Sequence, residues 1–473
     1  MTSYRWVICS MLFFATTVNY LDRQVLSLTW KDFIAPEFHW TNNDYGEITS
    51  LFSIFYAVSM LFAGRFVDWM DTKKGYLWAI GIWSVGACLH AFCGIATSGI
   101  ATGQWLVGFE EARTIISAVG NVGLIVNVSV LLFVFARLIL AVGEAGNFPA
   151  AIKATAEYFP KKDRAFSTSI FNAGATVGAL AAPVSIPFIA ELWGWEAAFL
   201  IIGALGFIWM GFWTFAYKKP ERHPSVNARE LSYIQQDGDS DLNEDNNPKQ
   251  KLTFLQCLQY RQTWAFAIGK FMTDGVWWFF LFWTPAYLSS VYGMKSSDPA
   301  SQIAIFVLYA ITLLSILGGW LPTWFIGRKG MNPYAGRMKA MLIFAFFPLL
   351  ALLAQPLGSI SYWFPVVIIG IAGAAHQAWS ANIFSTVGDM FPRNAIATVT
   401  GIGGMAGGLS SYIINKSSGI LFDYAGETNM TFMGFNGEEA GYFIIFSICA
   451  VAYLIGWCIM KSLVPRYAPI VTN

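Results

Sequence analysis

The sequence predicts an all-α polytopic membrane protein of twelve transmembrane helices, arranged as two six-helix pseudo-repeats. Three observations carry that expectation: composition, the spacing of apolar runs, and the placement of basic residues. Of 473 residues, 56% are hydrophobic and 12% charged, whereas a soluble chain of this length carries about 25% charge. The net charge of +1 says nothing about acidic partners, since the distribution of charge matters and not the sum; no nucleic-acid partner is expected. Cys9, Cys88, Cys93, Cys257, Cys449 and Cys458 lie mostly in apolar runs without a CxxC pair. They are read as packing residues, and no disulfide framework, metal site or cofactor is expected.

About 20 apolar residues cross a bilayer, and each crossing must be helical because hydrocarbon offers backbone groups no water. Apolar segments of that length lie near 6–33, 46–68, 75–97, 128–155, 165–190, 195–217, 262–290, 300–327, 336–354, 361–386, 395–420 and 440–464. The first lacks a basic leading region and a small-residue cleavage site, so it is read as a retained span and not a signal peptide. Gly174, Gly178, Gly401, Gly404 and Gly408 recur inside spans, where small residues let helices approach closely.

Basic residues set the orientation. With a cytoplasmic N-terminus, the inner loops hold Arg5, Lys73, Lys74, Lys161, Lys162, Arg164, Lys218, Lys219, Arg222, Arg229, Lys249, Lys251, Arg261, Arg328, Lys329, Arg337, Lys339, Arg393, Lys461 and Arg466. The outer loops hold only Arg113 and Lys295. Both termini are therefore expected in the cytoplasm, with the chain in the cell (inner) membrane. Residues of about 98–127 contain Glu110, Glu111 and Arg113 before an apolar run. A thirteenth span there would invert every later basic loop, so the segment is read as an external insertion. Residues 218–261 are the long polar stretch and form a cytoplasmic linker between an N-terminal bundle, 1–217, and a C-terminal bundle, 262–473. Ser225 ahead of "NARELSYIQQ" suggests one short amphipathic helix there. The Asp/Asn/Gly run after it reads as disordered.

The halves are related. "EYFPKKDRA" (157–165) has a counterpart in "DMFPRNAIA" (389–397), with Phe159-Pro160 and Phe391-Pro392 offset by 232 residues. Two such repeats joined by a long linker are the architecture of a rocking transporter. "GRFVDWMDTKKG" (64–75) resembles the loop signature of the major facilitator superfamily. "NYLDRQ", "GEAGNFPAAIKATAEYFPKKDRA" and "AHQAWSANIFSTVGDMFPRN" resemble its anion:cation symporter family, and especially hexuronate transporters. The likeness covers nearly the whole chain, with the fourth-span motif its most specific part and the 98–127 insertion a departure. The resemblance implies proton-coupled uptake of a sugar acid such as galacturonate or glucuronate, by alternating access. Gly64, Asp68 and Lys73 are read as a gate, in which Asp68 meets a helix N-terminus or a base in one state only. A solvated loop acid is the other reading of Asp68.

Charges within spans need a cavity or a partner, because each costs roughly 2.5–3.5 kcal/mol at the bilayer centre. Arg23, Arg137 and Lys270 are the deep bases; Lys31, Arg65, Lys153 and Lys416 lie near enough to span ends to snorkel. Arg137 and Glu144 are seven residues apart, within about 20° on one helix face. That face should meet Asp22 and Arg23 of the first span, either as a locked charge network or as a proton path. Moving an anion into a negative interior is opposed by roughly 2.3 kcal/mol per 100 mV. A symported proton cancels that opposition, and Asp22 and Glu144 are the expected carriers, tuned by Arg23 and Arg137.

For the sugar acid, Arg23 is the expected carboxylate ligand, its planar fork matching two oxygens. The resemblance places Tyr20 and Tyr56 beside it. It also marks Lys270 as a lysine where related gluconate-type transporters carry a neutral polar residue. Lys270 and Asp274 stand four residues apart, so the lysine either bridges to that acid or faces the cavity. His376, Gln377 and Asn382 on the tenth span and Asn172 on the fifth are further substrate-binding candidates; Trp379 is read as a packing or lipid-facing residue. No DDxxD-type acidic cluster, HExxH, GxSxG or CxxC is present, so an enzyme is not expected. The partners expected are an organic anion, protons and the bilayer, with the protein a monomer. Gluconate, galactonate, glucarate or a sialic acid are the alternative substrates.

Overall fold

The computed structural model describes residues 3–236, 253–391 and 393–470. The run from 237 to 252, expected to be disordered, lies outside the described residues. Helices α1 (Tyr4–Thr29), α2 (Ala35–Phe38), α3 (Asn42–Met70), α4 (Thr72–Ala91), α5 (Cys93–Thr102), α6 (Phe109–Ala118), α7 (Val122–Glu144), α8 (Asn147–Tyr158), α9 (Lys161–Trp193) and α10 (Trp195–Ala216) lead to a short linker helix, α11 (Ala228–Ile234). After it come α12 (Phe254–Cys257), α13 (Arg261–Tyr292), α14 (Pro299–Thr312), α15 (Leu317–Lys329), α16 (Pro333–Phe346), α17 (Ala354–Gly358), α18 (Trp363–Met390), α19 (Arg393–Glu427) and α20 (Glu438–Leu463). A two-residue hairpin, Thr431–Phe432 against Phe435–Asn436, interrupts an otherwise all-α chain.

Eight helical runs are long and apolar enough to span a membrane, and nine when the bent pair α4–α5 counts as one. Helices α1, α13 and α19, of 26, 32 and 35 residues, have the length but a more polar face, and they bring the total among the described residues to twelve. Their polarity has a source in the sequence. The first carries Asn19, Asp22, Arg23 and Gln24, and α13 carries Lys270 and Asp274.

The chain forms two compact units. The first gathers the described residues within Met1–Thr29, Pro36–His39 and Val58–Pro248, the second those within Trp30–Ala35, Trp40–Ala57 and Lys249–Asn473. In the first unit α1 lies along α9, where Gly174 and Gly178 face the carbonyls of Phe13 and Thr17 so closely that a Cβ would collide. The start of α1 is fastened by the linker helix. Glu230, fully buried, accepts from the backbone N–H of Tyr4 and Arg5 and from Arg5 Nη1, each at 3.2 Å. These are donors that a helix start leaves unpaired. The linker helix itself begins later than expected: its cap is Asn227, whose side chain accepts from Glu230 N at 2.9 Å, and not Ser225.

Three helices divide the segment that was read from sequence as an insertion over about 98–127. Helix α5 continues α4 past a 53° bend and ends at Gly103, in the left-handed region with φ 80°. Helix α7 starts at Val122 because Asn121 caps it through Leu124 N at 3.1 Å. Between them, α6 is held by Arg113, which donates to Glu110, Glu37 and Glu196 at 2.7, 3.1 and 2.6 Å. Trp195 Nε1 also donates to Glu37, at 2.8 Å.

In the second unit, Trp30 stacks on Tyr45 with ring centroids 4.0 Å apart, and Trp283 meets both edge-on. Asp423 accepts from Asn42 N, Asn43 N and Asn42 Nδ2 at 2.8, 2.6 and 2.9 Å, closing the start of α3. The sequence repeat reappears as geometry. Glu157 accepts from Thr72 Oγ1 at 2.6 Å, and Asp389, 232 residues on, accepts from Arg337 Nε at 2.6 Å. In each half an acid two residues before the Phe-Pro pair ties the last turn of one helix to the first turns of another, α8 to α4 and α18 to α16.

Candidate functional site

Asn19, Asp22 and Arg23 stand at i, i+3 and i+4 of α1 and so share one face. All three are buried, as are Arg137 and Glu144 of α7, none more than 5% exposed. Arg23 is bound to Glu144. Its Nε and Nη2 converge on one oxygen, Oε2, at 3.1 and 2.8 Å, and Oε1 has no hydrogen-bond partner among the described residues. The ring of Tyr20 lies 5.2 Å from the Arg23 guanidinium. Both carboxylate oxygens of Asp22 are buried without a hydrogen-bond partner among the described residues, within electrostatic reach of Glu144, Arg137 and Arg23. The structure thus brings together four charges expected to meet, with Glu144 on Arg23. Asn19, also buried and with no hydrogen-bond partner for its amide among the described residues, was not singled out by sequence. Its signal was its spacing from Asp22 and Arg23.

Such an arrangement stores a choice. Two guanidinium donors on one oxygen is a poorer match than the two parallel bonds that a carboxylate and an arginine can form. An isolated buried carboxylate is costly when ionised, so Asp22 and Glu144 favour states in which they are protonated or paired. Of the remaining first-unit candidates, Asn172 is exposed on α9. Lys73 donates to Thr214 O at 2.6 Å, which fastens the start of α4 to the end of α10. Gly64 faces open space, and the side chain of Asp68 lies outside the described residues.

The second unit holds a second polar cluster. Lys270 Nζ lies 2.7 Å from Asp274 Oδ2 and 4.4 Å from the Phe384 ring centroid. The intrahelical bridge is therefore formed. His376 is buried, stacked on Trp277 at 5.4 Å, with Nδ1 2.8 Å from the Tyr453 hydroxyl; Gln377 beside it is half-buried. Asn382 is buried, and its Nδ2 donates to Gly318 O and Ala378 O, both at 2.8 Å. Only its oxygen remains to offer a ligand. Trp379 is fully buried with its ring edge-on to Tyr453, a packing residue. Tyr56 stacks with Phe52 and meets Trp278. Trp277 and Tyr453 were missed, since nothing marks one aromatic among the 17% that are aromatic.

Among the described residues no group of His, Cys, Asp and Glu could hold a metal ion. The chain is 28% identical to a hexuronate transporter of Escherichia coli K12 over 466 residues, 97% of this chain and 94% of that one. It is 26% identical to a probable galactarate/D-glucarate transporter of the same organism over 445 residues, 87% of this chain and 90% of that one. A solved bacterial homologue of the human lysosomal transporter Spinster superposes with a TM-score of 0.67 at 18% identity, covering 98% of this chain and 97% of that one. Residues 12–414 match the Major Facilitator Superfamily. With that match, the twelve helical runs and transporter relatives over nearly the whole chain, the protein is a multi-pass membrane transporter of a small organic molecule, not an enzyme, and it belongs to the Major Facilitator Superfamily.

Proposed function

We propose that the protein imports a sugar acid, a hexuronate above all, by proton symport with alternating access, as a monomer in the cell (inner) membrane with both termini cytoplasmic. The observation that carries this reading is the Arg23–Glu144 bridge with an unpartnered Asp22 beside it. A substrate carboxylate offers Arg23 two oxygens in place of one. Displacing Glu144 leaves a buried, unpaired carboxylate, which takes a proton rather than remain charged. Anion and proton then bind together, because each removes the charge that the other would leave. The relative named a hexuronate transporter supports the substrate class, and the one-sided distribution of Lys and Arg in the loops supports the orientation. Tyr20, Tyr56, Asn172, Lys270, His376, Gln377 and Asn382 are the further residues proposed to contact the sugar. Gly64, Asp68 and Lys73 are proposed to act in gating, and Arg137 to tune the carboxylates.

The test is uptake of labelled galacturonate and glucuronate into proteoliposomes, with and without an inward proton gradient. Accumulation above equilibrium is expected only with the gradient. In Glu144→Gln, exchange across the membrane should persist while gradient-driven accumulation is lost. Equal accumulation without the gradient in the wild type would overturn proton symport; full accumulation in the variant would remove Glu144 from it. A sugar diacid is a second reading, favoured by Lys270 as a second deep base and by the relative named for galactarate and glucarate.

A further inference from the structure

The second unit repeats, with different residues, the arrangement around Arg23. Lys270 and Asp274 lie one turn apart on α13, joined at 2.7 Å with side chains 7% and 14% exposed. Asp274 binds Lys270 through Oδ2, and its buried Oδ1 has no hydrogen-bond partner among the described residues. Its carboxylate is seated against α19 at Gly407, where a Cβ would collide with it. The other side of the Lys270 ammonium faces the Phe384 ring of α18.

The titratable groups around the pair come from two further helices. His376 of α18 is within electrostatic reach of Lys270, and Tyr453 of α20 is within reach of Asp274 and Cys449. Tyr453 and His376 bond to one another at 2.8 Å, and the Tyr453 hydroxyl also donates to Thr273 O at 3.4 Å. The hydroxyl and imidazole are thus engaged with each other and with backbone. Asp274 is left as the acid that answers Lys270.

We propose that Asp274 is a proton-carrying residue that governs the acceptance of sugar diacids; this rests on the reading of the protein as a sugar-acid symporter. A ligand with one carboxylate leaves the Lys270–Asp274 pair intact. The second carboxylate of a diacid takes Lys270, and Asp274, already short of one partner, takes a proton in exchange. The ligand brings one more negative charge and the exchange one more proton. A diacid therefore crosses with one proton more than a monoacid and the same net charge. In linkage terms, diacid affinity depends on pH more steeply by one proton, about tenfold per pH unit above the Asp274 pKa of the ligand-free protein.

The experiment compares binding of galacturonate and galactarate to the full-length protein over a range of pH, with proton uptake per transported acid counted by an entrapped pH indicator. In the wild type, galactarate affinity is expected to gain about tenfold per pH unit over galacturonate as the medium is acidified, with one extra proton per cycle. Asp274→Asn removes the extra slope and the extra proton; Asp274→Glu, which keeps the acid, restores both should the amide variant fail to fold. If galacturonate is co-transported with protons while galactarate shows the same slope, or fails to bind even in acid, Asp274 has no such role and the symporter reading stands. If neither acid binds, the symporter reading falls and this one with it.

Discussion

Arg23 directs two donors at a single oxygen of Glu144, and a lysine cannot copy that. An ammonium is a compact point charge without a planar fork. If Arg23 holds the substrate carboxylate as proposed, Arg23→Lys keeps the charge and loses the second parallel bond to it. A charge-assisted hydrogen bond contributes about 1.5–3 kcal/mol, so galacturonate affinity should fall about 10- to 100-fold by calorimetry. An unchanged dissociation constant would take Arg23 out of the site. At this scale the charged residues were legible in the sequence because hydrocarbon makes each one conspicuous. Asp22, Arg23, Arg137 and Glu144 could be found by cost alone, and the four-residue spacing offered the Lys270–Asp274 bridge as one of two readings, the other a lysine facing the cavity. Neutral polar and aromatic partners cost too little to stand out in this way: Asn19 could be found only by its spacing from Asp22 and Arg23, and Tyr453 became visible only once α20 had neighbours.

Helices were legible where length and apolarity coincide, and least so where a side chain sets an end. Asn121 starts α7 and Asn227 starts α11, while Arg113 holds α6 against acids 76 and 83 residues away. Long-range fastening of that kind leaves no local pattern. It does leave a pH signature. Glu37, which follows the first span, is pushed up to about 7 because burial outweighs its hydrogen bond to Trp195 and its pairing with Arg113; nearby Glu196 adds to the rise. Between the ordinary glutamate value and about 7, the folded protein holds a proton that the unfolded chain has lost. Its stability therefore falls as pH rises through that window, by on the order of 3 kcal/mol. Thermal melting in detergent should drop as pH rises from about 4.5 to about 7, and Glu37→Gln should flatten that part of the slope. If the variant melts with the wild-type pH dependence, the insertion's anchor is not the source.

Across the whole molecule, the repeat was the most legible feature, and Glu157 and Asp389 give it a shared structural job. The compact units were not legible in this way. Residues 30–35 and 40–57 come early in the chain yet pack with the second unit, through contacts such as Asp32 with Ser289 and Ser296 N, both at 2.7 Å. Hydropathy finds where the chain crosses, and carries no information on which crossing pairs with which. Charge accounting is likewise a property of the whole cycle. A monovalent sugar acid carried with protons on both Glu144 and Asp22 moves one net positive charge inward, so a negative interior assists uptake by roughly 2.3 kcal/mol per 100 mV. On the proposed reading, Asp22→Asn leaves one carrier and an electroneutral cycle. On solid-supported membranes, a galacturonate jump should give an inward current in the wild type. In the variant that current should vanish while uptake driven by the pH gradient remains. A wild type that accumulates galacturonate on a pH gradient without current would leave Glu144 as the sole carrier and return Asp22 to a structural role beside it.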